Sequence, residues 1–449
     1  MIFIYFYLLL IYKMSGEVAS NLFNFPDGKS RAVSSKSYRS LIPSSNGQSF
    51  GLNNVIEFAL PSGVRNTYFD GQSCYIKATI NNTDAANSVK FEGSGFYSLI
   101  NKVEFLSGGS VLSTIDQYSV LVDMMLDAES SDAYKNNTGA VLCGMNSSKI
   151  GGRTLAHGGA TPTTVCVPLI LTPFHMTNRM IPSFSNDVIR VRITLNTALA
   201  GLVTATDGNT VTDAEIQLTN VAMGIYQVEL SQEAQNLVDE MTGGVYDLTF
   251  DDYRNASSTI DAGVSSHTAT LGFSFSSLNR VFVCHRPQAS LTEDNSASQG
   301  NRSQNKLIDT KLVVNGISYP QRSLTDTATA GGDTATGAEL LAESLICDRS
   351  LGVFSHDNSL QSANSTFLLN NGDGKTDAAC GRYYYQIDLE AVRGDTEKMY
   401  SGLNSLGATV QIQNTYATTS SAHRLDVFAQ YTQNMRLDMN GAGVFTTAV

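Results

Sequence analysis

The 449-residue sequence predicts an all-β protein built from two tandem antiparallel β-sandwich domains. Three observations carry this prediction. Apolar and polar residues alternate along many short segments, Ser, Thr, Asn and Gly dominate the polar positions, and the second half of the chain repeats the pattern of the first. Only 16% of the residues are charged, and Pro is scarce at 9. A chain of this length suits two domains of about 200 residues, each large enough to fold without disulfides.

Charge and cysteine usage narrow the class of protein further. The 29 basic and 41 acidic residues give a net charge of −12, and such a surface does not attract phosphate. We therefore expect no sequence-specific binding of nucleic acid. No two cysteines have C-x-x-C spacing, which predicts buried free thiols in a reducing compartment. The cysteines are Cys74, Cys143, Cys166, Cys284, Cys347 and Cys380.

The N-terminus carries an unbroken apolar and aromatic run from Ile2 to Tyr12, followed by a second methionine, Met14. The run is too short to span a bilayer as a helix, and no positive charge precedes it as in a signal peptide. Our leading interpretation is that translation starts at Met14, so that residues 1–13 are not translated. A membrane-touching or partner-binding arm is the alternative.

Residues 1–47 as a whole show no clear period and are predicted to be an N-terminal arm. The segment from Met14 to Phe50 has a local excess of basic residues, although the chain is acidic. We expect the arm to be poorly packed in an isolated subunit and to be ordered by contact with partners.

Strand periodicity begins near Gln48. Between Ile189 and Leu195 four apolar residues alternate with polar ones, as expected of a strand with one face against a core. Similar alternation occupies 165–171, 385–390 and 408–413, and segment 425–431 follows the same rule. Pro168 indicates an edge strand. The residues expected between the packed sheets include Ile189, Val191, Ile193, Val410 and Ile412.

Helical signals are few, and one of them divides the chain. Tyr118, Leu121, Val122 and Met125 have helical spacing, which predicts a short helix near 115–127 with Ser113 or Thr114 as its N-cap. A second helix is predicted near 336–347. A third is predicted at 231–241, as the connection between a first domain at 48–230 and a second at 242–436. The remaining residues, 437–449, are predicted to be an extended tail that is ordered only by partners.

A repeat at the scale of a domain supports duplication of one sandwich. The segment LINKVEFLSGGS from Leu99 aligns without a gap to LIDTKLVVNGIS from Leu307, an offset of 208 residues. Each segment contains a hairpin signal, GG at 108–109 and NG at 315–316, and each is followed by a predicted helix. Later strands match in the same order at offsets of 220, 219 and 209 residues.

The search for enzyme motifs finds no site. A GKT segment at 374–376 is like the end of a phosphate loop, but Leu369 stands where that loop needs its first glycine, so a turn is preferred. Lys375 also breaks the EF-hand spacing. Asp251 and Asp252 follow a predicted strand and could hold a cation, although an exposed strand end is the preferred interpretation.

The histidines are scattered and never paired at metal-ligand spacing. They are His157, His175, His267, His285, His356 and His423. We therefore assign no catalytic, cofactor-binding or metal-binding residue, and we expect a protein that is not an enzyme and needs no cofactor.

Two segments resemble a known family. GFYSLINKVEFLSGGSVLSTIDQYSVLVDMML, from Gly95 to Leu126, resembles the strand, glycine turn and Tyr-containing helix of the double jelly-roll major capsid proteins. VIEFALPSGVRNTYFD, from Val55 to Asp70, resembles their opening strand. The family includes capsid proteins of adenoviruses, tailless membrane-containing phages, virophages and large algal viruses. The resemblance covers about 50–436 and implies two tandem eight-stranded antiparallel jelly-roll β-sandwiches with short helices in loops. The absence of Trp departs from the large algal-virus members.

This resemblance also implies a function. The chain would be a structural major capsid protein that forms pseudo-hexagonal homotrimeric capsomers of an icosahedral virus. Its partners would be neighbouring capsomers, minor and vertex capsid proteins, and an internal membrane or the genome through the N-terminal arm. It would be made inside the host cell and reside in the virion shell. The alternative is a carbohydrate- or receptor-binding β-sandwich protein of a virion or cell surface, and a hydrolase on a sandwich is third.

Overall fold

The computed structural model describes residues 35–159, 161–204, 211–293, 295–325, 337–348, 369, 372–391, 401–419 and 421–448. The apolar run from Ile2 to Tyr12 and most of the predicted arm therefore lie outside the described residues.

The described part of the chain is mainly antiparallel strand. The strands of the first half are β1 (Ser35–Pro43), β2 (Ser49–Gly51), β3 (Val55–Ala59), β4 (Thr67–Asn82), β5 (Val89–Phe91), β6 (Ile100–Ser107), β7 (Ser110–Asp116), β8 (Thr154–Leu155), β9 (Thr163–Pro168), β10 (Ile181–Pro182), β11 (Ile189–Leu195), β12 (Leu202–Thr204) and β13 (Ile216–Leu230). Those of the second half are β14 (Val245–Ile260), β15 (Ser266–Leu271), β16 (Leu278–Pro287), β17 (Leu307–Val314), β18 (Ile317–Thr325), β19 (Tyr385–Asp388), β20 (Val410–Tyr416), β21 (His423–Asp438) and β22 (Phe445–Ala448).

Short helices lie between these strands. They are α1 (Tyr118–Glu129), α2 (Asp132–Tyr134), α3 (Ala140–Cys143), α4 (Pro173–Met176), α5 (Gln232–Thr242), α6 (Gln288–Thr292) and α7 (Ala338–Cys347). Single 3-10 turns occupy Gly95–Leu99, His157–Gly159, Ala198–Ala200, Asp213–Glu215 and Asp377–Ala379, and a π turn occupies Lys135–Gly139.

Each half is built around a pair of antiparallel sheets with the same strand order, and the first half has a further small sheet, β12-β5-β8. In the first half one sheet runs β1-β13-β4 with β9 beside β4, and the other runs β3-β11-β6-β7. In the second half the sheets run β14-β21-β16-β19 and β15-β20-β17-β18. Eight strands of one half thus correspond to eight of the other. The predicted fold class, two tandem jelly-roll sandwiches, is confirmed.

The strand pairing moves the alignment of the repeat by one residue. Ser107 pairs with Ser110 and Val314 pairs with Ile317, so the two-residue hairpin loops 108–109 and 315–316 are equivalent at an offset of 207 residues, not 208. Gly108 and Asn315 then occupy the same place, and both have positive φ, +58° and +50°. A left-handed residue at the start of such a loop matches the twist of the flanking strands, so the loop conformation sets the register.

The predicted core strands have the expected faces. In β11 the side chains of Ile189, Val191 and Ile193 are buried, as are Val410 and Ile412 of β20. Arg190 and Arg192 lie on the opposite face, where both contact the Glu57 carboxylate of β3. Pro168 ends β9, which pairs with β4 on one side only in the described structure, so the predicted edge position is confirmed.

Strand β21 departs from the predicted alternation. Leu425, Val427 and Ala429 are buried as expected, but Asp426 and Phe428 on the other face are fully buried too. The strand runs through the middle of its sheet, and other parts of the chain cover its second face. Alternation of residue type fails there because both faces are dry.

The helices lie close to their predicted positions. Ser231 caps α5 as predicted, since its Oγ accepts a hydrogen bond from Ala234 N at 3.3 Å. The predicted caps of α1 were wrong, because Ser113 and Thr114 lie inside β7, and Gln117 precedes the helix with no side-chain cap.

Two predictions about the ends of the chain were wrong. Residues 35–43 of the predicted arm form β1, which pairs along its full length with β13. Residues 445–448 of the predicted tail form β22, which pairs with β21, and Phe445 is buried. Both segments are held by the chain itself. We propose that the first domain begins at β1 and the second ends at β22, outside the predicted limits of 48 and 436.

Candidate functional site

The two jelly rolls contact each other along β7 of the first and β14 of the second. Ser113 Oγ donates a hydrogen bond to Asp252 Oδ1 at 2.9 Å, and Tyr431 OH donates to the other oxygen at 2.9 Å. Gln433 Nε2 donates to Leu112 O at 2.9 Å. The bonds of Ser113 and Leu112 join the edge strand of the first half to the second half, and the Tyr431 bond orients Asp252 from within the second half. The contact surface, called here the junction, is therefore partly polar.

Asp252 itself was misjudged from the sequence. It is fully buried inside β14, and the carboxylate of its neighbour Asp251 accepts hydrogen bonds from Asn279 and Gln430. The preferred interpretation, an exposed strand end, was wrong because β14 continues to Ile260. Burial raises the pKa of Asp252 to about 6, against the lowering effect of its hydrogen bonds.

The apolar part of the junction is aromatic. Phe105 and Phe174 of the first half pack with ring centroids 4.9 Å apart. They share a small apolar pocket with Phe250, Met435 and Phe445 of the second half. Phe445 comes from β22, so the C-terminal segment contributes to the joint between the two jelly rolls.

A cluster of buried charges forms the centre of the junction. Asp123 and Asp127 lie one turn apart on α1, and the two Nη atoms of Arg302, from the second half, donate to one carboxylate each. Lys149 Nζ lies 2.6 Å from Asp123 Oδ2 and 2.5 Å from Asp127 Oδ2. Arg302 is completely buried. A buried guanidinium with a planar fork is suited to bridging two carboxylates.

Asp127 is the most heavily neutralised member of this cluster. Lys135 Nζ lies 2.7 Å from its Oδ1, and Arg382 Nη1 lies 3.5 Å from the same atom. Burial would raise its pKa, but the surrounding cations hold it well below the usual range for an aspartate. Burial lowers the pKa of Lys149, whose carboxylate partners oppose the shift. The carboxylate of Asp127 is therefore ionised at any physiological pH.

Glu92 makes a second charged connection across the junction. Its carboxylate, from the first half, accepts hydrogen bonds from the backbone N–H groups of Ser298 at 3.0 Å, Gln299 at 3.1 Å and Gly300 at 2.9 Å. The side chain is fully buried, and burial raises its pKa to about 7 against the effect of those three donors. The carboxylate thus holds a loop of the second jelly roll to the first.

One feature of the sequence indicates this charge cluster, although the predictions from the sequence did not include it. The spacing of Asp123 and Asp127 places both acids on one side of a helix whose other residues are mostly apolar. Acidic residues inside an otherwise apolar helix indicate buried partners. The partners themselves could not be found from spacing, since Arg302 is 179 residues from Asp123 and 175 from Asp127.

The reactive residue types show no catalytic arrangement in the described part of the chain. All six cysteines are free thiols, and five are buried. Burial raises the pKa of Cys74, Cys143 and Cys284 to about 12, so these thiols stay protonated. The prediction of buried free thiols is confirmed for all but Cys166, which is half-buried.

The histidines noted in the sequence do not form a set of metal ligands within the described residues. Burial lowers the pKa of His285 to about 3, and its Nε2 lies 2.9 Å from the Tyr416 hydroxyl. His157 and His267 each lie beside a serine hydroxyl, and His356 lies outside the described residues. Within the described ranges, no group of His, Cys, Asp and Glu could hold a metal ion. The GKT segment at 374–376 forms a bend before the 3-10 turn at Asp377–Ala379.

The length and hydropathy of the helices decide whether any of them could span a bilayer. Among the residues that the structure describes, no helix is both long and apolar enough to cross a membrane.

The strand order and the buried junction define a class of protein, a double jelly roll whose halves form one block. The sequence matches no protein-family model and no curated protein. Solved structures do match. The chain is similar to the major capsid protein of Faustovirus at 10% identity and a TM-score of 0.58, over 91% of this chain and 92% of that one. The double jelly roll of this chain is the fold of viral major capsid proteins.

Two other solved structures support the same fold. One is VP54 of the virus PBCV-1, fitted into a reconstruction of the virophage Sputnik, with 12% identity, a TM-score of 0.58, and coverage of 95% of this chain and 99% of that chain. Another is a chain of the Sputnik virophage structure, with 12% identity, a TM-score of 0.50 and coverage of 95% and 92%. The suspected resemblance to this fold is confirmed over nearly the whole chain.

Proposed function

We propose that this protein is the structural subunit of an icosahedral capsid and that it assembles as a homotrimer with a pseudo-hexagonal outline. The observation that carries the proposal is the pairing of two jelly rolls of the same strand order by a buried, charged junction. Three such blocks supply six similar wedges, and a ring with closed symmetry satisfies its contact surfaces without forming a filament. The similarity to capsid proteins of known structure supports the same role.

The junction within one chain indicates how two copies would meet. Strand β18 is the counterpart of β7 in the second jelly roll, and β1 is the counterpart of β14 in the first. If six wedges alternate around a ring, the contact between β7 and β14 inside each chain is repeated between chains. Strand β18 of one copy then lies against β1 of the next copy.

Exposure of the two free strands supports this arrangement. Leu41 of β1 is 52% exposed and Ile317 of β18 is 58% exposed. Their counterpart strands bury Leu112 and Phe250 at 7% and 4% within the chain. The exposed apolar residues of β1 and β18 thus lie where the proposed contact would cover them, although Val111 of β7 stays 50% exposed beside the contact within the chain.

Light scattering after size exclusion tests this interface. The wild-type chain is expected at three times its mass of 48.3 kDa. The substitutions Leu41→Glu and Ile317→Glu place a charge in the apolar contact and should each shift the protein toward the monomer. Val141→Glu alters a residue that is 68% exposed but lies on neither strand, and should leave the trimer intact.

A wild-type monomer at all concentrations, or a two-fold symmetric dimer, would remove the capsid block and favour the carbohydrate- or receptor-binding alternative. A trimer that survives both charged substitutions would keep the capsid role and reject only the β18–β1 contact.

The remaining features of the proposal follow from the capsid role. The protein acts by assembly and not by catalysis, within the virion shell, and its partners are neighbouring capsomers together with minor and vertex proteins. Residues 1–34 lead into β1 and would contact neighbouring copies, an internal membrane or the genome. Deleting residues 1–34 should leave a folded trimer that assembles poorly into shells, and a deletion that prevents folding would contradict this role of the arm.

A further inference from the structure

A polar cleft of about 220 Å³ opens between the two jelly rolls at the end of the molecule opposite α5. The first half contributes the loop before β3 and the residues that follow β11. The second half contributes the end of β16, the loop around Ser298 and the start of β21. Of the described residues that line this cleft, none is acidic and two are arginines, Arg286 and Arg424.

The two arginines share one buried carboxylate. Arg286 Nε donates to Asp426 Oδ2 at 2.7 Å, and Arg424 Nε donates to Asp426 Oδ1 at 3.0 Å. Two cations against one anion leave the cleft with a positive charge, although the whole chain carries −12. A charge of this sign, partly shielded from water, attracts an anion.

The two guanidinium groups differ in how many of their N–H donors have hydrogen-bond partners within the described part of the chain. Arg286 is fully buried, and its Nη atoms donate to Ser298 O, Gln299 Oε1 and Gln117 Oε1. The Arg424 side chain is 29% exposed, and its Nη atoms have no hydrogen bond or ion pair within the described part of the chain. Arg286 therefore builds the wall of the cleft, and Arg424 presents a free fork of N–H donors to it.

Other unused polar groups surround that fork. Asn101 uses only its Oδ1, which accepts a hydrogen bond from Gln117 Nε2 at 3.2 Å. The side chains of Asn53 and Thr197 also line the cleft and make no hydrogen bond within the ranges that the structure describes. Amide and hydroxyl groups both donate and accept, as the ring hydroxyls of a sugar require. The N-terminal end of α1 lies at Gln117 and has no side-chain cap, so the positive end of the helix dipole also faces this region.

We propose that this cleft binds a carboxylate-bearing saccharide unit, with the carboxylate on the Arg424 guanidinium and the hydroxyl groups on Asn53, Asn101 and Thr197. A volume of about 220 Å³ accommodates one pyranose ring with its substituents. The ligand contacts both jelly rolls, so binding bridges the junction at its open end. This site is independent of the capsid role, because its residues lie on neither β1 nor β18.

Saturation-transfer NMR on the full-length protein tests the proposal with four probes: N-acetylneuraminic acid, glucuronic acid, methyl glucoside and inorganic phosphate. The two acidic sugars should bind, and methyl glucoside should bind more weakly. Loss of a charge-assisted pair of hydrogen bonds in Arg424→Gln should weaken binding of the acidic sugars at least about tenfold. Thr197→Val keeps the charge and should weaken binding severalfold.

Arg436→Gln is the matched control. Arg436 is 51% exposed, lies 3.9 Å from one carboxylate and occupies the other end of β21. This variant should bind the acidic sugars as the wild type does, and thermal unfolding should show that Arg424→Gln is folded. Absence of binding by both acidic sugars, equal binding by Arg424→Gln, or phosphate binding without sugar binding would each overturn the saccharide site.

Discussion

At the scale of a single residue, we expect the free energy of unfolding to depend strongly on Asp127. It is fully buried and faces four cations, two of which, Arg302 and Arg382, come from the second jelly roll. Removing one partner of a buried ion pair costs about 3–5 kcal/mol, because the remaining charges stay buried without compensation. We therefore expect Asp127→Asn to lower the free energy of unfolding by about that amount in urea denaturation.

A surface aspartate provides the control for this substitution. Asp116 is 46% exposed and lies 3.8 Å from Lys102, so Asp116→Asn should change the free energy of unfolding by less than about 1 kcal/mol. Equal effects of the two substitutions would show that the buried cluster contributes nothing beyond a surface pair.

Glu92 should make the stability of the protein depend on pH. Its pKa of about 7 in the folded chain lies above its ordinary value of 4.5, so between these values the folded state holds more protons than the unfolded state. The contribution of Glu92 to stability therefore falls as pH rises through that window, by up to about 1.4 kcal/mol per pH unit. Asp252, with a pKa of about 6, acts in the same direction.

The measurement compares wild type with Glu92→Gln between pH 5 and pH 8. Buried histidines such as His285, whose pKa is lowered, change stability in the opposite direction, but they do so in both proteins and cancel in the difference. The stability of wild type relative to Glu92→Gln should fall as pH rises. A difference that is constant with pH would mean that Glu92 keeps one protonation state throughout.

Among the secondary-structure elements, β22 has one buried aromatic side chain, Phe445. Phe445 inserts between the two jelly rolls, and the rest of this short strand pairs only with the end of β21. Phe445→Ala should detach the strand, so that the amides of residues 445–448 exchange hydrogen faster while those of β21 near Leu425 do not. Thr446→Ser, at an exposed position on the same strand, keeps the hydroxyl that donates to Arg436 O and should leave exchange unchanged.

The elements that could be predicted are those whose pattern is local. Strand β11 has one dry and one wet face, so Ile189 and Val191 identified it directly. The cap of α5 at Ser231 was equally local. By contrast, the second buried face of β21 and the pairing of Phe445 depend on residues distant in sequence. Periodicity carries no information about them, because it reports the faces of one element and not what covers them.

At the scale of the whole molecule, the internal repeat predicted the architecture better than it predicted the alignment. Order and number of strands agree in the two halves, but the hairpin loops align at an offset of 207 residues, and β11 aligns with β20 at 221 residues, not 219. The pairing register fixes the offset at β20, where Val410 lies opposite Val314 as Ile189 lies opposite Ser107. Alternation of residue type could not distinguish the two offsets, because a shift of two residues keeps the same face of the strand buried. The junction and the cleft were not predictable, since both form only where the two halves meet.

The short connection through α5 has a consequence for the assembly of such a block. Because one chain carries both halves, their encounter is intramolecular, and a short tether raises the effective concentration of each half to about millimolar. A contact surface with buried charges, which would be a poor interface between separate molecules, can then form completely. Two such halves made as separate polypeptides would have to recognise each other through the same ion pairs without that advantage.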